Sequence, residues 1–374
     1  MVRKQTLDKQ YLVKKRECQM PTRLLLFVLG LTFSFWASAT TGFVDPLVTA
    51  APSVSRPSRS PLTAITTAGD RLVAAGWRGL IMYSDDGGKS WRQSSVPVSV
   101  DLTAVAFPTP TDGWVVGHDG LILHSDDAGK TWHKQMDGVE ASKLTIAYYE
   151  KKAEEGDQRA RSLLEDARAH EKDNASIPFL SVLFLDAREG FAVGSFGLSM
   201  HTSDGGRHWL PWSDHVDNPE GLHLFGLCEL NGSLYIASEK GTVFVRRPGE
   251  QQFVRELTGY RGSLFGLVGV RDTVVAYGLR GTAFRSIDGG RTWSAVETGT
   301  GATITAGTAL PNGRLALVDV AGSVTQSDIG MTRFSLMSRV RMPMLTGIAS
   351  PKRQGWVVIT GVAGNQVVDA YVAP

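Results

Sequence analysis

The carboxylates that could do acid–base chemistry recur in one fixed setting. The pattern Ser-x-Asp-x-Gly-x-Thr-Trp occupies 84–91, 125–132 and 286–293, a close copy occupies 202–209, and worn copies end at Phe253 and Phe334. In such a segment the Asp side chain accepts backbone N–H groups, the Gly takes a turn conformation and the Trp buries a large apolar surface. We therefore interpret the Asp and Trp residues of the four good copies as structural: Asp86, Trp91, Asp127, Trp132, Asp204, Trp209, Asp288 and Trp293.

Other catalytic residue types lack the arrangement that catalysis needs. Glycoside hydrolysis uses two nearby carboxyl groups, yet the apolar segments 62–66, 102–107, 180–185, 264–268 and 304–307 carry no Asp or Glu. The patterns His-Glu-x-x-His and Gly-x-Ser-x-Gly are absent, and the histidines at 118, 124, 201 and 208 stand alone. We predict a protein that is not an enzyme, with no catalytic residue, no metal and no cofactor.

Charged residues that precede a recurring turn glycine are better candidates for binding a partner. Basic residues crowd the segment 246–291, where their local excess over acids suggests an acidic partner surface. Scattered solvated charges on strand edges are the alternative explanation. The candidate partner-binding residues are Arg78, His118, Asp119, Lys240, Arg261, Arg280 and Arg285.

A repeat of about 40 residues must position these side chains. The aromatic positions 91, 132, 209, 253, 293 and 334 are separated by 41, 77, 44, 40 and 41 residues, and the gap of 77 holds one period plus an insertion. Seven apolar segments and seven turn glycines keep the same period, and each unit reads as four short strands. This pattern is typical of a β-propeller. We predict an all-β, seven-bladed β-propeller over residues 62–374.

The insertion at about 138–174 breaks the repeat between blades two and three. Apolar positions recur there at i, i+3, i+4 and i+7 in two sets, which begin at Leu144 and Ala160 and are separated by Gly156-Asp157. We predict a helical hairpin on the face that carries the turn glycines. It is either a solvated decoration or an element that contacts a partner.

The N-terminal region has the layout of an export signal. Basic residues precede an uncharged apolar run at 24–36, which ends in Ala37-Ser-Ala39. The run is short for a membrane span, which needs about 20 residues, although an uncleaved anchor and a start at Met20 are alternatives. We predict a signal peptide at 1–39. Residues 40–61 are expected to close the last blade with a strand at 42–48 and then form a linker.

Composition limits the class of partner. The 374 residues carry a formal charge of +2, but removal of 1–39 takes away seven basic and two acidic residues and leaves −3. The basic character therefore belongs to the export segment, and no global charge argues for binding nucleic acid. We expect a monomer in the periplasm or cell envelope.

Two segments carry a family resemblance: Gly76-Trp-Arg-Gly-Leu-Ile-Met-Tyr-Ser-Asp-Asp-Gly-Gly-Lys-Ser-Trp91 and Gly113-Trp-Val-Val-Gly-His-Asp-Gly120. With their Asp-box repeats, also called bacterial neuraminidase repeats, they resemble the photosystem II stability/assembly factor family. The resemblance implies a non-catalytic chaperone that holds a membrane-protein complex, or another envelope protein, through an arginine-rich surface near Arg78 and 261–291. The alternative is a carbohydrate-active or glycan-binding sialidase-like propeller, although the Phe/Tyr-Arg-Ile-Pro motif of sialidases is absent.

Overall fold

The computed structural model describes residues 44–172, 176–351 and 355–369, so the predicted signal peptide lies outside the described residues. Twenty-seven strands in this part of the chain form seven antiparallel sheets, each built from strands that are consecutive in sequence. Seven inner strands contact one another in a closed ring, because the first strand of the last sheet meets the first strand of the chain. The predicted seven-bladed β-propeller is confirmed.

The bounds of the first four blades are as follows. Blades one and two contain β1 (Leu62–Ala68), β2 (Arg71–Gly76), β3 (Ile81–Ser84), β4 (Arg92–Gln93), β5 (Leu102–Ala106), β6 (Gly113–Gly117), β7 (Ile122–Ser125) and β8 (His133–Met136). Blades three and four contain β9 (Phe179–Phe184), β10 (Gly190–Gly194), β11 (Ser199–Thr202), β12 (Leu210–Pro211), β13 (Leu224–Leu230), β14 (Ser233–Ser238), β15 (Thr242–Arg246) and β16 (Val254–Leu257).

The remaining blades contain eleven strands, and the insertion contains two helices. The strands are β17 (Leu264–Val270), β18 (Thr273–Gly278), β19 (Ala283–Ser286), β20 (Ser294–Ala295), β21 (Ile304–Ala309), β22 (Leu315–Asp319), β23 (Ser323–Ser327), β24 (Phe334–Arg339), β25 (Leu345–Ala349), β26 (Trp356–Gly361) and β27 (Gly364–Asp369). The predicted helical hairpin is confirmed as α1 (Gly138–Glu154) and α2 (Gln158–Lys172) between blades two and three. No helix in the described ranges is both long and apolar enough to cross a membrane.

The hydrophobic core lies between neighbouring blades. The second strand of each blade is buried on both faces, which explains near-continuous apolar runs such as that of β2. Trp132 of blade two belongs to the same buried hydrophobic cluster as Val73 and Ile81 of blade one and is 2% exposed. Its ring also meets Phe107 edge to face at 5.9 Å. The Trp of an Asp-box therefore joins its own blade to the preceding one.

Threonine side chains join the inner strands of successive blades. The hydroxyl of Thr63 donates to the carbonyl oxygen of Leu102 (2.7 Å), and Thr103 and Thr305 make the equivalent bond to the following blade. Thr346 of the last blade donates to Leu62 O of the first at 2.8 Å. The ring is therefore closed at its inner strands by a hydrogen bond between residues far apart in the sequence.

The predicted closing strand at 42–48 is wrong over its described part. Residues Pro46–Val48 form a 3-10 turn, because the Asp45 side chain accepts the Leu47 N–H (2.9 Å) and Pro46 presets the turn. The last sheet has three strands within the described residues. The linker contacts this blade instead, since Asn365 Nδ2 donates to Ser58 O at 3.4 Å.

Candidate partner-binding face

One face of the propeller is built from a turn that recurs between the second and third strands of the blades. In five blades the residue before the turn glycine is left-handed, with φ of 55–56°, and these residues are Arg78, Asp119, Phe196, Lys240 and Arg280. The glycine that follows has no room for a side chain, since a Cβ on Gly281 would stand 1.9 Å from Thr300 O. The turn therefore packs against the connection to the next blade, and the preceding side chain is presented at the surface.

Exposed arginines extend along this face from blade five, through blades six and seven, to blade one. Arg280 and Arg78 stand on the recurring turns, and Arg261 lies in a connection whose Gly262 O accepts the N–H of the Gly241 turn (2.7 Å). The other members flank connections that pack on the turns at 322 and 364. We call this set the arginine arc: Arg56, Arg59, Arg78, Arg261, Arg280, Arg339 and Arg341.

The arginine arc keeps its charge available. Within the described ranges, none of its seven members lies within ion-pair distance of an acidic side chain. Asp101, in the connection between blades one and two, accepts the backbone N–H of Arg78 at its Oδ1 (2.7 Å) and is not paired with the Arg78 guanidinium. The buried Asp319 similarly accepts the N–H groups of Ala321 and Ser323. This side of the face is therefore positively charged.

Several basic residues of the 246–291 segment stabilise the propeller instead. Arg247 pairs with Glu256 (2.6 Å), and the guanidinium of Arg246 stacks over the Phe191 and Phe253 rings. Arg285, which the sequence grouped with Arg261 and Arg280, is at the other end of β19 and donates to Gly330 O in the Asp-containing turn of blade six. The strand separates Arg285 from the turn-glycine face, which sequence clustering alone could not reveal.

Lys240 is on the predicted face, but its charge is shared. Glu220 accepts both Lys240 Nζ and Arg255 Nη1, the latter at 2.7 Å. Hydrogen bonds from Lys240 and then from Arg255 hold the pKa of Glu220 at about 2. This cluster on blade four carries two positive charges against one negative charge, so it extends the arginine arc only weakly.

His118 and Asp119 lie on the same face beside the helical hairpin. Asp119 O accepts the Gly138 N–H at 2.6 Å, and its carboxylate accepts the Ser176 hydroxyl. The side chain of His118 is exposed, while its N–H donates to Asp101 O at 2.9 Å. The structure therefore places these two candidates where the insertion joins blade two. His118 is linked through Asp101 to Arg78, at one end of the arginine arc.

The hairpin is tied to the connection between blades three and four. Asp214, whose side chain is 5% exposed, accepts Lys152 Nζ and also the hydroxyl groups of Tyr149 (3.3 Å) and Tyr148 (3.5 Å). Arg159 Nη2 donates to Val216 O at 3.1 Å. Tyr149 is therefore buried while Leu144 is 37% exposed. The apolar set that begins at Leu144 is not the buried face of α1, because the helix packs on a polar connection.

A cleft under the hairpin was not apparent from the sequence. It has a volume of about 490 Å³ and lies between both helices and the turns of blades two and three. Phe196, 55% exposed, stands at its edge between His170 of α2 (ring centroids 5.3 Å apart) and His223 (4.8 Å). The one available signal was an aromatic residue at a turn position that holds charged residues in other blades.

The Asp-box carboxylates are all engaged in their own turns. Asp86 Oδ1 accepts the N–H groups of Lys89 (3.0 Å) and Ser90 (2.8 Å), and hydrogen bonds led by that from the Ser90 hydroxyl lower the pKa of Asp86 to about 2. Hydrogen bonds to Asp204 from the backbone N–H and then from the ring of His208 likewise lower the pKa of Asp204 to about 2. These carboxylates stay ionised as turn acceptors and lack the raised pKa of a general acid.

The same geometry recurs at the other copies. Asp127 and Asp288 each accept the N–H groups three and four residues ahead at 2.8–3.0 Å. In the worn sixth copy, Asp328 still accepts the N–H (2.8 Å) and hydroxyl of Thr332. Within their own turns, Trp91, Trp132 and Trp293 donate from Nε1 to a glycine carbonyl at 3.0–3.2 Å. Local hydrogen bonding therefore accounts for the repeated Asp residues and for three of the four Trp residues, whereas the buried Nε1 of Trp209 has no hydrogen-bond partner among the described residues.

The central funnel offers one carboxylate within the described inner strands. This is Glu229 of β13, which accepts the N–H of Gly232 at 2.7 Å and so caps a hairpin turn. A glycosidase needs a second carboxyl group within about 5–10 Å. The inner strands supply no such pair in the part of the chain that the structure describes.

Comparisons with known proteins agree with this fold. Residues 65–141 match the family described as photosynthesis system II assembly factor YCF48. Photosystem II assembly lipoprotein Ycf48 of Synechococcus sp. (strain CC9902) is 26% identical over 189 residues, which cover 49% of this chain and 56% of that protein. The match therefore spans little more than half the length of this relative.

Two solved structures share the propeller over most of the chain. YCF48 bound to D1 peptide superposes with a TM-score of 0.60 at 15% identity and covers 86% of this chain and 99% of its own. YCF48 from Cyanidioschyzon merolae gives a TM-score of 0.58 at 15% identity, with coverage of 85% and 97%. At this level of identity the likeness is one of fold.

Proposed function

We propose that this chain, a photosystem II assembly factor-like propeller, is a non-catalytic assembly or stability factor that binds an acidic segment of a membrane-protein complex. The arginine arc is the observation that carries the proposal. A guanidinium presents a planar fork of donors that matches a carboxylate, and it remains charged at every physiological pH. Seven such groups on one face, none of them in an ion pair among the described residues, would attract and orient an acidic segment.

The family match and the solved neighbours support a protein partner. A structure with this fold has a D1 peptide bound, which makes peptide binding the function to test first. A sialidase-like function finds less support, since the described funnel lacks a carboxylate pair and the Asp-box acids are engaged in turns. Other envelope proteins are the alternative class of partner.

The compartment is part of the same proposal. The apolar run at 24–36 and the small residues at 37–39 favour export, and the relative from Synechococcus carries the word lipoprotein in its name. We expect the protein to act as a monomer in the periplasm, the cell envelope or a photosynthetic lumen. The helical insertion at 138–174 would contribute a second contact with the partner.

The test is a charge reversal with a matched control. Arg261→Glu and Arg280→Glu together change two arc residues, whereas Arg291→Glu and Arg333→Glu make the same change in charge on exposed Asp-box turns. Tagged full-length protein would be captured from cross-linked native membranes, and the bound proteins would be quantified by mass spectrometry. A loss of about 1.4 kcal/mol in binding free energy lowers affinity tenfold. We therefore expect the arc variant to capture about tenfold less of the main membrane protein, and the control variant to capture as much as the unchanged protein.

Salt provides an independent check. Pairs between exposed charges weaken as ionic strength rises, so binding of an acidic peptide to the arc should fall with added salt in the unchanged protein. Equal capture by the arc variant and the unchanged protein would refute the proposal. An equal loss in both double variants would show a response to net charge rather than to this face.

A further inference from the structure

The cleft under the helical hairpin has the chemistry of a second binding site. Its walls come from α1, α2 and the turns of blades two and three, and its apolar lining includes Val139, Leu163, Phe196 and Leu198. A volume of about 490 Å³ lies within the range of sites that hold ligand groups. An insertion that only decorated the propeller would have no need of an apolar cavity beneath it.

The exposure of the rim indicates an occupant larger than the cleft. Val139 is 61% exposed and Phe196 is 55% exposed, although both line the cavity. A molecule held wholly inside would leave these two side chains in water. Phe196 also has the left-handed backbone conformation, with φ of 55°, and its ring lies at the edge between the rings of His170 and His223. A chain segment that crosses the rim would cover both residues and place one side chain inside.

The polar lining of the cleft is acidic. The lining contains three acidic residues, Asp119, Asp166 and Glu171, and one basic residue, Lys143. Asp166, Glu171 and Lys143 are exposed, so their charges are available to an occupant. The net charge of −2 is opposite in sign to that of the arginine arc. Complementarity therefore selects a basic, apolar segment for the cleft.

We propose that the cleft binds an extended segment of a protein partner that has one large apolar side chain next to a Lys or Arg. The apolar side chain enters between Val139 and Phe196, and the neighbouring cation lies against Asp166 and Glu171. This inference rests on the proposed function only in that both need a protein partner. The two sites select opposite charges, so each can fail without the other.

The probe is a set of three fluorescein-labelled ten-residue peptides, measured by fluorescence anisotropy with the full-length protein. The first has a central Phe flanked by Lys residues, the second replaces the Lys residues by Glu, and the third replaces the Phe by Ala. Because burial of a Phe side chain drives entry, we expect the Lys/Phe peptide to bind at least about tenfold more tightly than the Lys/Ala peptide. The Glu/Phe peptide should depend on the arginine arc instead.

Three variants test the placement. Phe196→Asn removes the ring and keeps a residue that tolerates left-handed backbone. We expect this variant to lower the affinity for the Lys/Phe peptide about tenfold. Asp166→Lys should weaken it by a similar factor, while Glu165→Lys makes the same charge change one residue away on α2, outside the cleft lining. The double variant Arg261→Glu and Arg280→Glu should leave the Lys/Phe peptide bound.

Several outcomes would overturn the proposal. These are absence of Lys/Phe binding, no effect of Phe196→Asn, or an equal loss with Glu165→Lys and Asp166→Lys. Loss of Glu/Phe binding alone, in the arc variant, would bear on the proposed function and leave the cleft supported.

Discussion

Asp214 should control whether the helical hairpin stays docked on the propeller. Its carboxylate is 5% exposed and accepts donors from Lys152, Tyr148 and Tyr149, all of which belong to α1. The change Asp214→Ala removes that acceptor without touching either helix. Because α1 and α2 pack mainly on one another and on this connection, we expect local opening of the hairpin rather than unfolding of the blades.

The magnitude follows from the groups left behind. A hydrogen bond to a charged group contributes about 1.5–3 kcal/mol, and a buried hydroxyl without a partner costs about 1–3 kcal/mol. Tyr149 is 1% exposed and would lose its acceptor, whereas the Lys152 side chain is 30% exposed and would regain water. We therefore expect a loss of about 3 kcal/mol for Asp214→Ala and about half of that for Asp214→Asn, which keeps an acceptor.

The assay is hydrogen–deuterium exchange followed by mass spectrometry. A loss of about 3 kcal/mol raises the open population roughly a hundredfold, so amides of α1 and α2 should exchange faster by that factor in Asp214→Ala. In Asp214→Asn, the amides of α1 and α2 should exchange about tenfold faster, and exchange in the strands of blades five and six should be unchanged. The exposed Asp217, on the same connection, provides the matched change Asp217→Ala.

Two results would refute this reasoning. Unchanged exchange in α1 with Asp214→Ala would show that the ion pair does not dock the hairpin, and an equal increase with Asp217→Ala would show that any change in the connection suffices. Alkaline pH offers a further check. The hydrogen bond with Asp214 raises the pKa of Lys152 above its ordinary value. The contribution of the Lys152–Asp214 pair to hairpin stability should therefore be complete below pH 10 and be lost as the pH rises through the raised pKa of Lys152.

Two further predictions concern the propeller itself. Gly281→Ala would place a Cβ 1.9 Å from Thr300 O at φ +69° and should lower the free energy of unfolding by about 2 kcal/mol or more. Gly301 has open space around it, so Gly301→Ala should change the free energy of unfolding by no more than about 0.5 kcal/mol. Denaturant unfolding measures both variants, and equal effects would contradict the turn argument. The pKa values of Asp86 and Asp204 are lowered from 3.8 to about 2, so their stabilisation should be complete above pH 4 and be lost between pH 4 and 2. Unfolding experiments across that pH range should show that Asp86→Ala loses less stability on acidification than the unchanged protein does. An equal loss of stability in both would contradict the role of Asp86 as an ionised turn acceptor.

Much of the fold could be predicted because its signals are local. The Asp residues of the four good Asp-boxes bond to groups within four residues, so the turn is encoded in a short pattern that recurs in blades one, two, three and five. The hairpin was predictable for the same reason, since its helices follow from spacing within each segment. The buried face of α1 was not, because burial there depends on Asp214, more than sixty residues further along the chain.

The candidate site was predictable in part. The recurring glycine identified which residues stand on one face, and Arg78, Asp119, Lys240 and Arg280 all have the left-handed backbone of that turn. Membership of the arginine arc required the fold, because Arg56 and Arg59 reach the face only by packing of the linker on the last blade. Arg285 shows the reverse case, a residue close in sequence that belongs to another part of the molecule.

By itself, the sequence determined the number of blades and the turns within them, because these depend on local contacts that recur about every 40 residues. It also determined the presence of a helical insertion, because the spacing of apolar residues in a helix is local. Only the tertiary structure decided how the ring closes, which charges share a face and that a cleft lies under the hairpin. Those features depend on pairs such as Thr346 with Leu62 and Asp214 with Lys152. Single contacts between distant residues leave no period in the sequence, so their partners appear only once the chain has folded.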